Sequence, residues 1–200
     1  MARTAATPEQ RAQIRDKIRS AAAEVYAEKG IAGTSARAIA VKAGVSVGTL
    51  YSYYTNLPEL MRSLWAEPVA EEMIRLRATI QTITDPLAAI SALLNGYADF
   101  ALANPDILRG AFLFVGQEQE TGLGPAPAAL EFEHMLQNAV QQGQMTGQIK
   151  QGNPRRIAHQ LWAGVQGALA LPINIESLAF GSPKQLVTDM ISALTESIKI

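Results

Sequence analysis

Six hydroxyl side chains crowd the nine residues from Ser46 to Tyr54: Ser46, Thr49, Tyr51, Ser52, Tyr53 and Tyr54. Val47 and Gly48 stand among them. The chemistry this stretch offers is recognition of a duplex. Val47 and Thr49 suit thymine methyls, and the Thr49 hydroxyl can bond a base or a phosphate. Gly48 lets the backbone come close. Tyr51 and Tyr53 carry rigid rings ending in a hydroxyl, which suits phosphate oxygens at a groove edge, while packing is their competing role. Arg37, a short way upstream, has the planar fork that matches O6 and N7 of guanine.

Catalytic chemistry has much less to stand on. The two histidines, His134 and His159, are far apart in sequence. There is no HExxH, no GxSxG, no phosphate-binding glycine loop and no GxGxxG. Glu131 and His134 are three residues apart and can share a metal ion, but a mixed charged helix face produces such pairs by chance. With no cysteine, disulfides and thiolate metal sites are excluded. We therefore expect no enzyme, no metal and no cofactor.

The elements that must position the hydroxyl stretch are two short helices and a turn. Ser35 or Thr34 caps a helix that runs to Ala43, with Ile39 and Ala40 inward and Arg37 and Lys42 outward. Gly44 ends it, because a tight turn there needs positive φ. Ser46 caps the next helix, which Leu50 and Tyr54 anchor to the core four residues apart. Helix, glycine turn and second short helix form the helix-turn-helix pattern, whose second helix enters the major groove. Before it, Thr7-Pro8-Glu9-Gln10 reads as a capped start to a helix with an apolar stripe (Ile14, Ile18, Ala21, Ala22, Val25) that closes near Gly30. Arg11, Arg15 and Arg19 lie on its adjacent turns, where each can face phosphate or plain solvent.

Charge is uneven along the chain. Residues 1–62 hold nine Lys/Arg against five acids, and residues 63–200 hold eight against thirteen. A basic segment on an acidic body suits a phosphate-facing head, although four charges can equally be a solvated surface. No apolar stretch after Met1 resembles a signal peptide, and the apolar run around Leu161–Ile175 is interrupted and too short to span a bilayer. The expectation is a cytoplasmic protein without a membrane partner.

Five pieces in order make the resemblance specific: Tyr26-Ala27-Glu28-Lys29-Gly30, Gly33-Thr34-Ser35, Arg37-Ala38-Ile39-Ala40, Ala43-Gly44-Val45-Ser46 and Gly48-Thr49-Leu50-Tyr51-Ser52-Tyr53. Over roughly residues 11–62 the chain resembles TetR/AcrR-like transcriptional regulators. The resemblance implies a homodimeric repressor bound to a palindromic operator in double-stranded DNA and released by a small, largely apolar effector. It implies DNA contacts from Ser35, Arg37, Ser46, Val47, Gly48, Thr49, Tyr51 and Tyr53. The family usually has a phosphate-contacting lysine where this chain has Leu57, so Asn56 or the helix N-terminus is expected to take over that contact. A helical ligand-binding protein with a weakened head is the competing reading, and Leu57 is its support.

The rest of the chain reads as helices. Pro58 opens one that Pro68 is expected to kink or end. Asp85-Pro86, Asn104-Pro105, Asn153-Pro154 and Ser182-Pro183 each read as an N-cap followed by proline at the first helical position. Another helix is expected near Ala128, and Pro172 is expected to end the one opened at Pro154. The fold class is all-α with about nine helices: a helix-turn-helix head over residues 1–57 and an effector-binding and dimerisation body over 58–200. Trp65, Tyr97, Phe100, Phe112, Leu136, Trp162 and Gln166 are candidates for the effector pocket, with ordinary core packing as the alternative for each. Gln166 stands where one branch of the family has histidine. Trp162, Gly164, Val165, Gly167, Leu186, Met190 and Leu194 are candidates for the dimer interface, since small residues let helices approach closely. A monomer could also bury both of these helices internally.

Overall fold

A computed structural model describes residues 7–113, 125–175 and 177–200, with the backbone alone at 31, 32 and 110–113. Among the described residues there are nine helices and no strand beyond one isolated bridge. They are α1 (Pro8–Gly33), α2 (Ala36–Ala43), α3 (Val47–Tyr53), α4 (Leu57–Gln81), α5 (Pro86–Ala103), α6 (Pro105–Leu113), α7 (Pro127–Met145), α8 (Pro154–Asn174) and α9 (Pro183–Ile198). Two compact units divide the chain. One takes the described residues up to Glu67, the other those from Pro68 onward.

The first unit is built by caps and one small core. At the start of α1, Thr7 Oγ1 accepts from Gln10 N at 3.3 Å and Gln10 Oε1 accepts from Thr7 N at 3.0 Å. Two orphan donors are satisfied reciprocally, which is the capping box expected from the sequence. The regular part of α1 breaks at Gly30, where φ is +61°. Ser35 caps α2 by accepting from Ala38 N, and Gly44 closes it in the left-handed region at φ +62°. Ser46 caps α3. Ile18, Val25, Ile39, Leu50, Tyr54 and Leu60 meet in one buried cluster. Each such side chain contributes about 1.5–3 kcal/mol by leaving water, so this cluster holds the short helix α3 against α1 and α2.

In the second unit α5 packs against α6, α7, α8 and α9. Its 18 residues are long and apolar enough to cross a membrane. Here that apolar length supplies the centre of a helical core, with Ile90, Leu93 and Leu94 completely buried. Asp85, Asn153 and Ser182 cap α5, α8 and α9, each ahead of a proline. α7 starts at Pro127 rather than Ala128, without a side-chain cap, and runs on to Met145.

The expected helix end at Pro172 needs correction, and at Pro68 the ending half of the kink-or-end expectation does. α4 continues through Pro68 to Gln81, and α8 continues through Pro172 to Asn174. Proline's φ is already helical, and within a packed helix it removes a single hydrogen bond. In α8 the buried face of Leu161, Val165 and Leu169 carries the helix into its last turn, which closes when Ile175 N donates to Leu171 O at 2.9 Å.

The isolated bridge joins Ile149 to Lys199. Lys150 N donates to Ile198 O at 2.9 Å and Ile200 N donates to Gln148 O at 3.3 Å. Ile149 is fully buried and sits against Gly143, where any Cβ would collide with it. The end of α9 is thereby tied to the turn between α7 and α8.

Candidate nucleic-acid interface

The cap of α3 sets up its exposed face. Ser46 Oγ accepts from Thr49 N at 2.9 Å and lies 2.8 Å from Thr49 Oγ1. Ser52 Oγ donates to the Thr49 carbonyl at 2.6 Å. The Thr49 hydroxyl is therefore held locally and keeps only its remaining capacity for an outside partner. Val47, Gly48, Tyr51 and Ser46 are exposed, with Val47 at 38% and Tyr51 at 45%. Tyr53 is half-buried, and Tyr54 is the buried anchor, its hydroxyl donating to Arg15 O at 3.3 Å.

From α2, Arg37 is exposed and makes no ion pair or hydrogen bond among the described residues. Ser35 spends its side-chain oxygen on the α2 cap. Lys42 is engaged differently. Its Nζ is 2.7 Å from Glu28 and 3.1 Å from Glu24, and those carboxylates raise its pKa from the ordinary lysine value. Lys42 is thus tied to carboxylates, whereas Arg37 has no such partner among the described residues.

The N-terminus of α4 is already occupied. Asn56 Oδ1 accepts from Glu59 N at 2.8 Å, and the Glu59 carboxylate accepts from Thr55 N at 2.5 Å. Asn56 thus caps the helix, while Glu59 reaches back one residue further than in a reciprocal capping box, to Thr55 rather than to Asn56. Asn56 keeps its amide nitrogen, but its oxygen is committed. Glu59 brings a negative charge to the position where a phosphate would approach, and Leu57 packs against the core of this unit. Glu59 was not singled out from sequence, although an acid three residues after Asn56 is the signal for this cap.

In the second unit an aromatic cluster brings three candidate pocket residues together. Tyr97 on α5 donates its hydroxyl to Gln166 Oε1 on α8. The Tyr97 ring is 6.0 Å from Trp162, edge to face, and 5.0 Å from Phe132 on α7. Phe132 is in turn 5.2 Å from Trp162. Burial pushes the Tyr97 phenol above its ordinary pKa, while the Trp162 N–H and Gln166 pull it part of the way back. That N–H is buried and falls short of a hydrogen bond to any described atom. Leu136 is fully buried in the same core. Phe132 was missed in the sequence, although it lies one helical turn before Leu136.

Trp65 does not join this group. It belongs to the first unit, where it packs edge to face on Tyr26 at 5.9 Å. Phe100 is half-buried on α5, and the Phe112 side chain lies outside the described residues.

The residues expected at a dimer interface separate into two kinds. Val165 is completely buried within the chain, so no partner can touch it; the α8 face that carries Leu161, Val165 and Leu169 turns into the core. Trp162 belongs to the aromatic cluster described above. Gly164 lies under Leu194 of α9. Gly167, by contrast, has open space where a Cβ would be. Leu186, Met190 and Leu194 are half-buried along α9.

Glu131 is bonded to Arg77, and no group of three or more metal-ligating side chains occurs among the described residues. The second histidine has a partner that sequence inspection did not find. Glu133, 7% exposed, lies 2.5 Å from Arg155 and 2.8 Å from His159. Arg155, and then His159, hold its carboxyl below the ordinary value.

Comparison with known proteins fits this arrangement. Residues 18–64 match the family model described as bacterial regulatory proteins, tetR family. The chain is 29% identical over 155 residues to a fatty acid metabolism regulator protein of Bacillus subtilis (strain 168), covering 74% of this chain and 77% of the relative. It is 29% identical over 87 residues to the HTH-type transcriptional repressor KstR2 of Mycolicibacterium smegmatis, covering 44% of this chain and 42% of that protein. In fold it is similar to the transcriptional regulator FadR from Bacillus subtilis, solved in complex with stearoyl-CoA. That match has a TM-score of 0.62 at 19% identity and covers 92% of this chain and 98% of the other. The matched segment is the helix-turn-helix head of tetR-family regulators, and among the described residues the rest of the chain is helical, which supports a TetR/AcrR-like family.

Proposed function

We propose that the protein is a cytoplasmic, homodimeric repressor that holds a palindromic operator through two copies of α3 and lets go when an apolar effector enters the body. The observation that carries this reading is the exposed α3 face, Val47, Gly48 and Tyr51, capped by Ser46 and flanked by an unpaired Arg37. We assign base contacts to Arg37, Val47 and Thr49, close backbone approach to Gly48, and phosphate contacts to Tyr51 and Tyr53. Two heads on a dimer would meet major grooves about one helical turn apart, ~34–36 Å, or a multiple of it.

The effector is proposed to be a fatty acyl compound. The relative named as a fatty acid metabolism regulator and the stearoyl-CoA complex support this class. So does the Tyr97–Phe132–Trp162 cluster, which offers aromatic surface together with an unused indole donor. A chain ending in a carbonyl would satisfy that donor, which otherwise costs about 1–3 kcal/mol of desolvation. Release then requires the effector to bind the non-operator conformation more tightly than the operator-bound one.

Selection from a random duplex library, with and without a long-chain acyl thioester, tests the whole reading. A palindrome that is enriched without the thioester and lost with it is the expected result. Failure to enrich any palindrome would favour the competing reading, a ligand-binding protein with a weakened head. Leu57 and Glu59 at the start of α4 are what favour that alternative.

A further inference from the structure

The start of α4 offers a phosphate little grip: Leu57 packs against the core, Asn56 Oδ1 is spent on a cap so that only its amide nitrogen remains, and Glu59 adds a negative charge. If the head binds DNA as proposed above, on which this inference rests, the missing grip must come from elsewhere in the same unit. α1 offers three arginines on adjacent turns, and the structure separates them. Arg19 lies 3.6 Å from Asp16. Arg15 lies 3.9 Å from Glu59, and its guanidinium covers the ring of the buried Tyr54 at 4.9 Å. Arg11 is exposed and has no carboxylate partner among the described residues. Its guanidinium stands over the Tyr53 ring, 5.7 Å from the centroid.

That stacking matters in two ways. A cation over a tyrosine face gains about 0.5–1 kcal/mol at an exposed site, enough to favour one placement of a long side chain without neutralising its charge. Tyr53 is also the last residue of α3, so the cation is held beside the end of the reading helix. A guanidinium and a phenol held together can contact one phosphate with a charged and a neutral donor, and the guanidinium matches phosphate geometry through two parallel N–H bonds.

We propose that Arg11, stacked on Tyr53, forms a binding site for a DNA backbone phosphate that replaces the contact withheld at Leu57. Arg15 and Arg19 contribute far less, because each already faces a carboxylate.

The test uses the full chain and the operator recovered by selection. Affinity is measured at several salt concentrations for the unaltered protein, Arg11→Ala and Arg19→Ala, after circular dichroism melts have established that each variant is folded. Arg11→Ala should lower the magnitude of the log–log salt slope by about 0.9 per head, with a several-fold loss of affinity, while Arg19→Ala changes neither. Neutral methylphosphonates placed one at a time along the operator should reveal one position per half-site that weakens the unaltered protein but not Arg11→Ala. In a Tyr53→Leu background Arg11→Ala should cost less than it does alone. An unchanged slope and affinity for Arg11→Ala on an operator that the unaltered protein binds would overturn this inference alone. Failure of the unaltered protein to bind any operator would overturn it together with the DNA-binding reading.

Discussion

Leu194 of α9 lies directly over Gly164 of α8: a Cβ at position 164 would come within 2.7 Å of Leu194 Cδ1. Glycine is needed there for packing inside one chain. Gly167, one turn further along the same helix, has nothing within 4 Å of its would-be Cβ. The two glycines therefore test different things. Gly164→Leu should destabilise the folded chain by about 1–3 kcal/mol through overpacking, seen as an earlier urea midpoint. Gly167→Leu should leave that midpoint within about 0.5 kcal/mol and instead shift light scattering from dimer toward monomer. A Gly167→Leu protein that remains fully dimeric would remove this face of α8 from the interface.

Ser46 bonds both the Thr49 amide and the Thr49 hydroxyl. Replacing a cap serine with alanine typically costs about 0.5–2 kcal/mol, and α3 has only seven residues over which to absorb it. Ser46→Ala should therefore fray α3 first. Amide hydrogen exchange should speed up within residues 47–53 more than in α1, and operator affinity should fall. Equal exchange rates in α3 before and after the change would contradict this account of the cap.

Arg37 has no partner among the described residues, so its removal leaves none of them unsatisfied. Arg37→Ala should keep the thermal midpoint and weaken operator binding by about 1–3 kcal/mol, with the loss concentrated at one guanine per half-site. A loss spread evenly across operator variants would make Arg37 a phosphate contact instead.

The Trp162 indole N–H is buried beside Tyr97 and makes no hydrogen bond among the described residues, and the only other tryptophan is Trp65. In a Trp65→Phe protein, fluorescence therefore reports Trp162 alone. A long-chain acyl thioester should change that emission, and Trp162→Phe should weaken its release of the operator complex several-fold. Unchanged emission at concentrations that dissociate the operator complex would place the effector elsewhere.

Glu133 is buried, with a folded-state pKa that Arg155 and His159 hold below the ordinary value. The unfolded chain binds that proton at higher pH than the folded chain does. The resulting stability is fully present above about pH 4.3, the usual glutamate value, and is lost as pH falls through the depressed folded value. Glu133→Gln should flatten the acid limb of thermal stability measured from neutral pH downward. A limb of unchanged steepness would assign it to other carboxylates.

Much of this molecule could be read from local chemistry. Asp85, Asn153 and Ser182 announce helices because a cap and a following proline act within four residues, and the structure has a helix at each. Gly44 was legible for the same reason, since its positive φ is a local demand. Pro68 and Pro172 misled because what keeps those helices running is the packing of neighbouring turns. The Ile149–Lys199 bridge joins residues fifty positions apart and leaves no local trace. The site divides along similar lines. The order of helix-turn-helix residues is visible along the chain, and so is the Arg19–Asp16 pair three residues apart on α1, but the placing of Arg15 and Arg11 depends on Glu59 and Tyr53 across a packed interface.

The acid cap on α4 bears on how such a protein would search a genome. Sequence-independent attraction to DNA comes almost wholly from cations set against phosphates. A head with leucine at 57 and glutamate at 59 would spend less time on random sequence than one with a lysine at 57. Fewer molecules would be sequestered away from the operator, and occupancy would depend on base contacts more than on ionic strength. Discrimination, measured as the ratio of specific to random affinity, would then be gained by making the wrong sites weaker.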